Sequence, residues 1–257
     1  MKQQKQNKNL QRNDEIIGSS FTVINQLLKV ASTLIGLVTV VYIIGYFRLT
    51  SYYNCFNSKW IINNISPLDF ISASIFSISV ISIILLLGIT DVAEGLSIKS
   101  LYNFLKISIL LTILISIISE ITKGKIDFKI TIGLLYIASF LWAIASGIMI
   151  TIITQLVRLQ KFKWSSNLVF SLLFAIAYGL YFSPRSIGKS EGYRDSNLKH
   201  SKLPYIRLIN DENINWRLLY ARYDLLYLVK LDSVYSEMPA IKIVNYTEIN
   251  SIRGNKQ

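Results

Sequence analysis

PLDFISASIFSISVISIILLLGIT, residues 67–90, holds a single ionisable side chain, Asp69, in 24 positions. A bilayer's hydrocarbon core takes about 20 mostly apolar helical residues. A helix of this length rises about 36 Å, enough to cross with some tilt. Its start is chemically marked. Ser66 can cap the orphan backbone N–H groups, Pro67 suits the first helical position, and Asp69 faces the positive end of the helix dipole.

Outward from this stretch, four further apolar segments run over 30–47, 101–121, 131–154 and 165–183. Soluble cores rarely supply such runs in succession. The fold class is therefore an α-helical integral membrane protein. About five transmembrane helices occupy residues 30–183, and a small antiparallel β-rich soluble domain follows over 204–257. Segment 101–121 is the weakest member, because Lys106 and Glu120 bracket only residues 107–119. Snorkelling of Lys106 toward the headgroups makes it a full span; a re-entrant segment is the alternative and would leave four.

The flanking regions divide by composition. Residues 1–13 are mostly Lys, Gln and Asn and are expected to be disordered. Over 14–29, Ile17, Phe21, Ile24 and Leu28 recur at helical steps, which predicts an amphipathic helix on the membrane surface or an extension of the first span. No small-residue cleavage site follows, so the first span should remain as an anchor. In the loop 48–66, Tyr52, Tyr53, Phe56 and Trp60 share a helical face with Leu49. That spacing predicts a short helix in the membrane interface, its aromatics forming a headgroup-level belt. After Pro184 the chain turns polar and basic, and 184–203 reads as a tether. Candidate strands lie at 205–209, 215–221, 225–231 and 240–244, with turn chemistry at Tyr223-Asp224. A helical turn and a last strand close the chain. A β domain of this size has a marginal core alone, so docking on the membrane domain or another subunit is expected.

Hydrophobic residues make up 52% and charged ones 16%, yet the net charge is +12, carried outside the spans. That pattern favours anionic lipid headgroups and topology control by juxtamembrane Lys and Arg. No basic module with stacking aromatics appears, so no nucleic acid is expected. Balanced over the whole tail, the Lys and Arg counts favour a cytoplasmic C-terminal domain once only residues near the spans are considered. Richness in Ile, Asn, Ser and Lys points to an AT-rich bacterial genome and hence the bacterial cytoplasmic membrane.

Chemistry-bearing residues are sparse. Ser108, Thr112, Ser116 and Ser119 fall within about 80° on the third span. They form either a polar path or a helix interface. Ser139, Ala143, Gly147 and Thr151 on the fourth span, and Ser171, Ala175 and Gly179 on the fifth, read as helix packing, as do Ser32 and Gly36 on the first. Asp91 and Glu94, one turn apart, could hold a cation only with further oxygen ligands. Glu120 lies near an interface, where solvation is its ordinary state. His200 is the sole histidine, and Cys55 the sole cysteine, a small interfacial hydrophobe. Arg207, Arg217 and Arg222, with Trp216, Tyr220 and Tyr223, form either an anion-facing surface or ordinary alternating strand faces. No HExxH, GxSxG, Walker or dinucleotide pattern occurs. The sequence thus leads to a non-enzymatic membrane protein without a cofactor. It would anchor its β domain for contact with a protein partner, a second copy or lipid. A passive channel or small-solute permease is the alternative.

Overall fold

The computed structural model describes residues 31–93, 97–122, 128–158, 177–209, 216–231 and 239–253, with isolated positions at 26, 29, 169, 173, 174 and 214. The expected tail 1–13, nearly all of the amphipathic helix 14–29, and most of the fifth span lie outside the described residues. Met1–Val40 forms one compact unit. Val41–Gln257 forms the other and contains the β domain.

Among the described residues, four helices are long and apolar enough to cross a membrane: Ala31–Asn54, Pro67–Thr90, Ile98–Ile121 and Phe128–Val157. The first is α1. The others belong to α2 (Pro67–Ala93), α3 (Ile98–Thr122) and α4 (Phe128–Arg158). The protein is a helical membrane bundle joined to a β domain. Outward residues such as Ile75, Leu86, Leu110 and Ile117 are exposed and apolar, as helices solvated by lipid require. Ser66 Oγ accepts the Leu68 amide at 3.4 Å, the N-terminal cap its position foretold. Segment 101–121 is one continuous helix. It begins earlier, at Ile98, and its 25 residues rise about 37 Å.

Two expectations for the junction are overturned. The loop 48–66 does not hold one separate helix carrying all its aromatics: α1 continues through Asn54. It stops where Asn57 takes a left-handed φ of 54° and the Ser58 amide reaches back to the Tyr53 carbonyl at 3.1 Å, a C-terminal cap for which asparagine is suited. A 3-10 helix, Lys59–Asn64, then leads to α2. Nor is 184–203 simply a tether. A π-helical turn, Ala177–Phe182, runs straight into α5, Ser183–Asp195, with Pro184 in the first turn, where its missing N–H does no harm. Ile187, Gly188, Ser190, Gly192 and Asp195 of α5 are buried. The face is made of small residues rather than an apolar stripe, so hydrophobic periodicity could not reveal it.

The β domain comprises β1 (Tyr205–Leu208), β2 (Trp216–Arg222), β3 (Leu225–Lys230), β4 (Ile241–Asn245) and β5 (Ile249–Arg253), all pairs antiparallel, in the order β4-β3-β2-β1-β5. The two outermost strands are consecutive in sequence, joined only by the 3-10 turn Tyr246–Glu248. Four strand spacings in a flat sheet span about 19 Å, whereas this connection reaches about 14 Å at full extension. The sheet must therefore curl into a partial barrel. Hydrogen bonds from Ile209 N to Glu248 O (3.0 Å) and from Tyr246 N to Asp224 O (3.2 Å) tie this connection to the end of β1 and to the β2–β3 turn. Ile206, Leu208, Trp216, Leu226, Leu228 and Val244 fill the barrel interior.

Candidate functional site

β3 sits at the boundary between barrel and bundle. Successive strand residues point to opposite faces. Leu226 and Leu228 enter the barrel core, while Tyr227 and Val229 enter a second core with Leu219 and Leu231 from the β domain and Tyr53, Phe56, Ile61, Ile65 and Phe70 from the bundle. Phe56 is fully buried and Tyr53 nearly so. Trp60 is partly exposed beside Tyr227, with ring centroids 5.8 Å apart. Tyr52 packs against the same core. The aromatics expected at headgroup level thus seat the β domain. An amphipathic aromatic face satisfies a protein core as well as a lipid interface, and sequence alone does not separate the two.

Polar contacts fix the orientation of this junction. The Tyr220 hydroxyl donates to Asp69 Oδ2 at 2.9 Å and accepts the Ser66 amide at 3.2 Å; Arg222 Nη1 donates to the Asn64 carbonyl. Arg217 donates to the Leu203 carbonyl at 3.1 Å and lies over the Tyr205 ring, its pKa lowered by burial. Trp216 belongs to the barrel core. Arg217, Arg222, Trp216 and Tyr220, four of the six residues that resembled an anion-facing surface, are thus used structurally, while Tyr223 stands exposed. Burial raises the Tyr220 pKa, and the neighbouring Asp69 carboxylate raises it further. A raised folded-state value means that the stabilisation is complete below the unfolded value of about 10 and is lost as pH climbs through the folded value. Tyr220→Phe should lower stability near neutrality by about 1–3 kcal/mol and flatten the alkaline decline. Thermal unfolding on both sides of pH ~10 measures both effects.

α5 is stitched to its neighbours by charge. Arg48 of α1 makes a two-pronged contact with Glu191, Nε to Oε2 at 3.0 Å and Nη2 to Oε1 at 2.6 Å. The Tyr52 hydroxyl donates to Asp195 Oδ2 at 3.2 Å. Arg194 pairs with Asp195 at 2.9 Å and donates to the Tyr136 hydroxyl at 3.1 Å. Burial opposes the Arg194 charge, but the bonded Asp195 carboxylate outweighs it and raises the pKa. Gly188 and Gly192 permit the approach. A Cβ at Gly188 would collide with the Arg48 carbonyl, and one at Gly192 would stand 2.6 Å from the Tyr52 carbonyl. Cys55 lies in the same contact, its thiol directed at the Ser51 and Lys189 carbonyls. His200 stacks on Phe128, centroids 5.0 Å apart.

Beside α5 lies a cleft of about 1100 Å³. Leu135, Trp142 and Phe182 line its apolar part, where the Trp142 ring stacks on Phe182 at 5.1 Å. Ser51, Asn54, Ser116, Ser119 and Ser186 add hydroxyl and amide groups. Lys59, Arg185, Lys189 and Glu120 contribute charge, with Lys189 Nζ 2.9 Å from Glu120 Oε2 and Arg185 over the Tyr181 ring at 4.6 Å. This divides the hydroxyl stripe of α3. Ser116 and Ser119 reach the cleft. Ser108 donates to the Leu141 carbonyl at 3.3 Å, and Thr112 to the Ser108 carbonyl at 2.6 Å, both buried at helix contacts.

Comparison with family models, curated proteins and solved structures finds no match.

The packing residues occupy close helix contacts. Gly147 faces Ile84 of α2, and Gly179 faces the Ser146 side chain of α4. Ser139, Ala143 and Thr151 are buried on α4. Ser171 and Ala175 lie outside the described residues, as do the Asp91 side chain and Glu94. The cleft escaped sequence reasoning because its lining comes from four separate segments, with no local spacing to join them.

Proposed function

We propose that this chain is a non-enzymatic membrane anchor that presents its β domain in a fixed orientation at the bilayer surface for recognition by a partner. The supporting observation is the shared core of Tyr53, Phe56, Ile61 and Phe70 with Leu219, Tyr227 and Val229. A merely tethered domain needs no such core, whereas a presenting platform does. Tyr223, at the β2–β3 turn with φ 50°, is 85% exposed, and Tyr246, bonded through its amide to Asp224, is 48% exposed. These two aromatics form the surface we assign to the partner. The Lys and Arg residues of 185–202 lie on the β-domain side of the bundle, which supports a cytoplasmic placement of that domain by the positive-inside rule, in a bacterial cytoplasmic membrane. A conducting path is less well supported, since Ser108 and Thr112 spend their hydroxyls on backbone carbonyls.

Removing the whole β domain would uncover its seat, so the test uses surface changes. Tyr223→Asp with Tyr246→Asp should reproduce the phenotype of deleting the gene while membrane insertion and thermal stability stay as in the parent. Full complementation by the double variant would refute this reading.

A further inference from the structure

We propose that the cleft beside α5 is a binding site for one anionic phospholipid, with the phosphodiester held at the rim and an acyl chain laid along Leu135, Trp142 and Phe182. This inference rests on the bundle alone and stands whether or not the barrel has a partner.

Three features carry it. The first is charge. Lys59, Arg185 and Lys189 face a single described carboxylate of the lining, Glu120, which neutralises one of them across 2.9 Å. The excess is cationic, and basic pockets between helices at headgroup level suit anionic headgroups. The second is depth. Lys59 follows the end of α1, Glu120 lies at the end of α3, and Arg185 begins α5, so the charges gather where helices leave the apolar zone. Trp142 is about 20 Å along α4 from its start at Phe128, well toward the bilayer centre. The third is the mixed polarity. Hydroxyls and an amide of Ser51, Ser119 and Asn54 share the lining with the cations and with Leu135, Trp142 and Phe182. A small polar solute has no use for the aromatic end, and a free hydrocarbon has no use for the rim. A phospholipid matches both.

The test uses the full chain in zwitterionic phosphatidylcholine nanodiscs titrated with phosphatidylglycerol, bound lipid being counted by native mass spectrometry. The parent should retain one phosphatidylglycerol in preference to phosphatidylcholine. Lys59→Gln with Arg185→Gln should weaken retention about 25-fold, at about fivefold per charge. Glu120→Gln should strengthen it, a gain that loss of folding cannot imitate. With phosphatidylglycerol brominated on its acyl chains, tryptophan quenching should fall in Trp142→Phe. Equal retention of both lipids, unchanged binding in the double variant, or full displacement by soluble glycerol phosphate would each overturn the proposal. The last outcome would mark the cleft as a site for a free anion.

Discussion

Phe56→Ala should destabilise the chain by about 3–5 kcal/mol, the range for truncating a large aromatic in a packed core. Phe56 is fully buried among residues drawn from α1, the 3-10 helix, α2 and the β domain. The alternative, an aromatic at the lipid headgroups, predicts a change within about 0.5 kcal/mol, as surface substitutions usually give. Unfolding in denaturant, followed in detergent by tryptophan fluorescence, separates the two outcomes, because Trp60 stands against Tyr227 across the junction and reports its opening. Limited proteolysis should in addition release a fragment beginning near Leu203, since the barrel keeps its own interior of Ile206, Leu226, Leu228 and Val244.

Gly188→Ala should be nearly as damaging. The added methyl would clash with the Arg48 carbonyl oxygen, a backbone atom that cannot swing aside. Overpacking alone accounts for about 1–3 kcal/mol. Pushing α5 from α1 would also part Arg48 from Glu191, a pair whose side chains are only 16% and 23% exposed, and breaking such pairs adds further loss. Gly133→Ala is the matched control. Nothing stands within 4 Å of its Cβ position in α4, so relief of glycine's backbone entropy should stabilise the protein by about 0.5–1 kcal/mol. Thermal unfolding of the two variants should shift in opposite directions.

These predictions mark the boundary of what the residues alone disclosed. The spans were legible because lipid demands long apolar runs, and the cap at Ser66 and the hairpin at Tyr223-Asp224 announced themselves by local chemistry. α5 was hidden, since its burial depends on glycines whose helix propensity is poor and whose value lies in what they leave out. LLYLVKL, 225–231, carried a signal that was there to be read. A strand without polar alternation is buried on both faces, and β3 indeed serves the barrel with one face and the bundle with the other. The marginal size of the domain announces docking on the membrane domain or another subunit, but alternating faces leave the seat on β3 unlocated. Of the cleft, Ser116 and Ser119 stand out together as part of the hydroxyl stripe, whereas Glu120 and Cys55 stand out singly, each for another reason.

The shared core also sets an order in time. Phe56 leaves the ribosome about 170 residues ahead of Tyr227, and at about 5–20 residues per second that interval lasts roughly 10–35 s. Through it, the turn after α1 has its membrane helix but not its cover. Completion of β3 supplies Tyr227 and Val229, the residues that cover it. A chain that stalls or terminates upstream of β3 lacks those two side chains, and Tyr53, Phe56 and Ile61 are left with apolar surface that the full chain buries.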